Sequence, residues 1–144
     1  MLRHLLIAAT SVMMLAWPAH AVEKCAATAP PEAAVKAKAF LDRLVAGKGS
    51  DGVAAVLGDS PLWATRPGAS EQLNGQIDAA VKAYGVPTRW EAYCGDALGT
   101  MAFREYYLVQ HREILTRWEF DFARTATGWK IVYFGFTDQQ PSWF

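Results

Sequence analysis

Residues 118–136 read W-E-F-D-F-A-R-T-A-T-G-W-K-I-V-Y-F-G-F. Trp118, Phe120 and Phe122 alternate with Glu119 and Asp121, then a turn containing Gly128 intervenes. The chain returns through Trp129, Ile131, Val132, Tyr133, Phe134 and Phe136. Strict alternation, a turn and a second apolar run predict a β-hairpin. The returning run is apolar at consecutive positions, so its strand is expected to lie deep in a sheet covered on both faces.

Working outward, residues 88–94 and 100–110 also have strand character, the first ended by Gly95-Asp96. Four strands with short gaps favour sequential antiparallel neighbours. Upstream the period becomes helical. Pro31 suits a first turn, and Ala34, Ala37, Phe40, Leu41, Leu44 and Val45 recur at helical spacing up to Gly47. A short helix starts at Ser50 or Asp51 and carries Val53, Val56 and Leu57 to Gly58. Residues 59–68, with two prolines and Trp63, read as a loop. A third helix runs from an N-cap at Ser70 through Leu73, Ile77, Ala80, Val81 and Tyr84 to Gly85. Helices first and strands after predict an α+β domain: three N-terminal helices packed on one face of a curved, mainly antiparallel sheet of four or more strands.

The 144-residue chain is expected to hold one domain, over 32–144, after a cleaved segment at 1–21 and an extended lead-in at 22–31. Met1-Leu2-Arg3-His4 is basic, the next dozen or so residues are apolar, and Ala19-His20-Ala21 is an A-x-A cleavage site. These are the marks of a secretory signal peptide, too short for a membrane span. The expected location is therefore the periplasm or the exterior, with no stable membrane insertion after cleavage. The two cysteines, Cys25 and Cys94, would then meet an oxidising space and can form one bridge; two unpaired thiols are the alternative. Without Arg3 there are 13 basic residues against 14 acidic, a net charge of about −1. No basic excess is available for nucleic acid.

Ser60-Pro61-Leu62-Trp63, the segment from Glu71 to Tyr84 with Gly85, Arg117-Trp118-Glu119-Phe120, and Gly128-Trp129-Lys130-Ile131 leading to Phe136-Thr137-Asp138 resemble the nuclear transport factor two-like superfamily. That is the fold type of ketosteroid isomerases and scytalone dehydratase, and the local match is to small exported bacterial members. The resemblance implies a cone-shaped domain. It does not choose a function, because the superfamily holds enzymes, binding domains and assembly modules.

Residue chemistry is sparse. Glu105 shares a strand face with Met101, Phe103, Tyr107 and Val109, where a carboxylate must find a partner in Arg104, Arg117 or a tyrosine, unless that face is wet. Glu105 and Tyr107 are therefore the candidate catalytic pair. Arg117, Glu119 and Asp121 fall on the opposite face from Trp118 and Phe120 and are expected to ion-pair across strands. His111, beside Arg112-Glu113, reads as a solvated loop histidine. No phosphate loop, nucleophile elbow or zinc motif occurs, so no metal or cofactor is expected. Trp63, Tyr84, Trp90 and Trp118 are candidates for lining a ligand pocket, with core or interface roles as the alternative. The preferred functional expectation is an exported small-molecule-binding or protein-interaction module that dimerises through its sheet face. The alternative is a cofactor-free isomerase, dehydratase or hydrolase acting on a small apolar substrate in the cone. A subunit of a larger envelope assembly is a third.

Overall fold

The computed structural model describes residues 28–143. The expected signal segment, its cleavage site and Cys25 lie outside them. Helix α1 (Pro31–Val45) begins on a proline, whose missing N–H costs nothing in a first turn. It buries Ala33, Ala34, Ala37, Phe40, Leu41 and Leu44 along one stripe. Its end is a Schellman motif: Gly47 takes φ 72°, its N–H donates to Leu44 O at 3.0 Å, and Lys48 N–H donates to Arg43 O at 2.8 Å. Helix α2 (Gly49–Asp59) crosses α1 closely at Gly52, where an added Cβ would stand 2.9 Å from the Phe40 ring.

The stretch expected to be loop contains a further turn of helix, α3 (Pro61–Ala64). Extended Ser60 followed by Pro61 starts it, and burial of Trp63 holds it. Helix α4 (Ala69–Tyr84) starts two residues earlier than expected. Its cap is Gly68 at φ 81°, not Ser70, whose hydroxyl instead accepts from Asn74 Nδ2 at 3.4 Å. Gly85 closes α4 as expected.

The strands β1 (Arg89–Leu98), β2 (Ala102–Gln110), β3 (Leu115–Thr125) and β4 (Gly128–Thr137) form an open antiparallel sheet in that order. The domain is thus α+β, with helices preceding a four-stranded antiparallel sheet. β1 does not stop at Cys94: a bulge between Ala92 and Cys94 absorbs Tyr93, and the ladder continues to Leu98. β2 starts after Met101, which sits exposed in the turn rather than beside Glu105.

Two expectations for β4 are overturned. It is an edge strand, not a deep one. Its apolar run also faces mainly one way, because Asp121 pairs with Tyr133 while Phe122 pairs with Ile131, leaving Val132 as an extra residue. That extra residue resets the alternation, so Ile131 and Phe134 are both buried and Tyr133 is exposed. The core is an aromatic cluster around Phe40, whose ring centre lies 5.3 Å from Trp118, 5.7 Å from Phe120 and 5.2 Å from Phe134. Each such ring contributes roughly 1.5–3 kcal/mol by burial.

The opposite sheet face is charged. Arg104 holds Asp121 through bonds of 2.6 and 2.8 Å and lies 3.1 Å from Glu119. Arg117 makes no close ion pair like that of Arg104, but its charge acts on Glu119 and its guanidinium lies 5.2 Å from the Tyr106 ring.

Candidate functional site

Strand alternation on β2 places Glu105 and Tyr107 on the core face, 6% and 0% exposed. The Tyr107 hydroxyl donates to Glu105 Oε2. Of the partners considered for Glu105, the tyrosine is the one used; Arg104 carries Asp121 on the other face. Tyr107 also meets Phe120 and Trp90 edge-on, at 5.6 and 5.7 Å. Burial, and then the bond to Glu105, keep its phenol protonated well above the ordinary tyrosine range. The pair has the donor–acceptor form of an acid–base dyad. However, neither residue lines either of the two clefts described below.

The four aromatic residues expected to share a pocket are not brought together. Trp118 donates Nε1–H to Thr116 Oγ1 at 3.1 Å, and its ring stacks on Phe136 at 4.8 Å. Trp90 donates to Asp42 Oδ1 at 2.9 Å. The Tyr84 hydroxyl donates to Asp138 Oδ2, a bond that raises the pKa of the phenol. Trp63 donates to the Ile131 carbonyl at 3.2 Å. Of the four, only Trp63 lines the cleft between α4 and β4.

His111 is not a solvated loop residue but 4% exposed. Its Nδ1 lies 2.8 Å from the Gly85 carbonyl and its Nε2 3.2 Å from Thr116 Oγ1. A carbonyl can only accept, so Nδ1 carries the proton. Thr116 then donates to Nε2 while accepting from Trp118, and every polar atom of the chain is used. The histidine pins the end of α4 to β3.

The cleft between α4 and β4 has a volume of about 330 Å³. Trp63, Leu73, Phe134 and Phe136 supply its apolar surface, and Gln72 and Gln76 stand on the helix side. Arg66 is the one charged residue in its lining, with its guanidinium 5.2 Å from the Trp63 ring centre. Sequence reasoning missed Arg66, Gln72 and Gln76. The i, i+4 spacing of the glutamines marked a helix face, but nothing in the sequence marked that face as opposite β4. A second cleft, of about 380 Å³, lies at the β1–β2 hairpin beside exposed Leu98 and is lined by Phe103, Phe122 and Val132.

Among the described residues no group of three or more His, Cys, Asp or Glu could hold a metal ion. No helix there is long and apolar enough to cross a membrane. Cys94, beside the β1 bulge, is not a free thiol; its expected partner Cys25 lies outside the described residues. No family model, curated protein or solved structure matches the chain.

Proposed function

We propose that this protein is an exported, non-enzymatic binding module of the nuclear transport factor two-like type, released by cleavage after Ala21 and clasped by a Cys25–Cys94 disulfide. The observation that carries the binding reading is the cleft between α4 and β4. It offers an apolar aromatic surface, two amides and a single cation, the mix that orients a ligand with an apolar body. The bulges at Tyr93 and Val132 bend the outer strands, which supports a conical sheet behind that cleft. The charged sheet face, with Tyr93 and Tyr133 exposed on it, is the proposed dimer surface. Its mixed signs allow a second copy to pair with it isologously.

Native mass spectrometry of protein recovered from the periplasm tests this reading. The expected result is a disulfide-containing species with retained ligand mass, lost when Ala69→Trp fills the cleft. Identical ligand content in Ala69→Trp would reject the cleft as the site.

The enzymatic alternative rests on one observation, the Tyr107–Glu105 bond. It requires that substrate reach a pair buried in the aromatic core. Loss of turnover in Glu105→Gln with ligand binding retained would establish it.

A further inference from the structure

Edge strands expose unpaired backbone groups, and proteins usually cover them. β4 is covered along one half only. There the Trp63 indole occupies the Ile131 carbonyl, and Lys130 is tied to Asp59 of α2 at 3.2 Å. Over residues 132–136, apart from the ladder to β3, no backbone hydrogen bond arrives from another element among the described residues. This uncovered half is the half that borders the cleft, where Tyr133, Phe134, Gly135 and Phe136 all contribute to the lining. The far wall is α4, whose Gln72 and Gln76 face the strand across the gap.

We infer that the cleft takes an extended peptide, which adds to β4 as a fifth strand with a carboxylate directed at Arg66. The inference rests on the binding reading above and names its partner. A strand next to β4 would complete the open backbone groups of 132–136, and its alternate side chains would enter the apolar gap. The glutamine amides can both donate and accept along the outer side of such a strand. Arg66 lies over Trp63 and is the only charge in the lining. An acidic side chain or a free C-terminus is therefore the complementary end of the peptide. A small apolar molecule would use the aromatic surface but would leave the strand edge unpaired.

The probes are a five-residue Val/Thr peptide with a free C-terminal carboxylate, its C-terminal amide, and a version N-methylated at alternate residues. They are added to the full mature protein and followed by amide hydrogen exchange. The expected result is new protection within 132–136 with the free acid and none with the N-methylated peptide. Arg66→Ala should weaken the free acid about tenfold, the loss of one charge-assisted hydrogen bond, and leave the amide unchanged. Arg66 is exposed, so this variant should fold normally. Binding that is indifferent to N-methylation, or protection confined to other strands, overturns the inference. No peptide binding while a small molecule is retained in the cleft overturns it and leaves the binding reading intact. An Ala69→Trp variant that still binds peptide with protection at 132–136 would instead sink the assumed position of the strand.

Discussion

Tyr107 has no exposed surface, and its hydroxyl is the donor that accompanies Glu105 into the core. Tyr107→Phe would leave that carboxylate without it, a change expected to cost about 1–3 kcal/mol in urea unfolding. The Tyr107 phenol holds its proton more tightly folded than unfolded. Its contribution is therefore complete below pH 10 and declines as pH rises beyond it. Tyr107→Phe should accordingly show a shallower loss of stability between pH 10 and 11 than the parent. At Thr116 one hydroxyl serves two partners, His111 and Trp118. Thr116→Val keeps the shape but strands an indole N–H and an imidazole nitrogen, and should lower stability by about 2–4 kcal/mol at pH 7. A calorimetric loss below about 0.5 kcal/mol would mean that water replaces the hydroxyl at both partners.

Two joints hold the elements in register. Asp59, at the end of α2, bonds Lys36 of α1 at 2.6 Å and Lys130 of β4 at 3.2 Å. Burial by itself would raise the Asp59 pKa, but the two lysines outweigh it and hold the carboxyl below its usual 3.8. A depressed folded value means stabilisation that is present above about pH 4 and disappears as pH falls through the folded value. Asp59→Asn should thus melt lower than the parent at pH 7, with the gap narrowing as the pH falls below about 4. The difference should stay under about 1 kcal/mol because the site is partly solvated. The other joint is the Val132 bulge. Deleting Val132 preserves which residues face the core, since Ile131, Tyr133 and Phe134 would then alternate regularly; cooperative unfolding should survive, with a flatter β4. The alternation of β3 could be read directly from Trp118, Phe120 and Phe122, because each side chain's face follows from parity alone. β4 could not be read that way: Ile131-Val132-Tyr133-Phe134 looks the same whether a strand is buried on two faces or bulged on one. The burial of His111 is hidden from the sequence for a related reason, since it depends on Gly85, 26 residues away. The cleft was invisible because it is the gap between α4 and β4, and no single segment encodes a gap.

At the scale of the whole molecule, the proposed Cys25–Cys94 bridge would close a loop of about 70 residues, worth roughly 4 kcal/mol if strain is small. Intact mass should be two hydrogens below the reduced chain, and reduction should lower the melting temperature; a thiol-reactive protein would rule the bridge out. Sedimentation at micromolar concentration should give a dimer, and a clean monomer would remove the sheet-face interface. The placement of Trp63 has an optical consequence. Of the tryptophans among the described residues it alone lines the cleft, and a guanidinium already rests over its ring. Trp90 and Trp118 emit from sites fixed to Asp42 and Thr116. Anything that enters the cleft changes the field and the quencher at one indole, so the difference spectrum between the parent and Trp63→Phe is a built-in fluorescence gauge of occupancy, usable before any ligand has been identified.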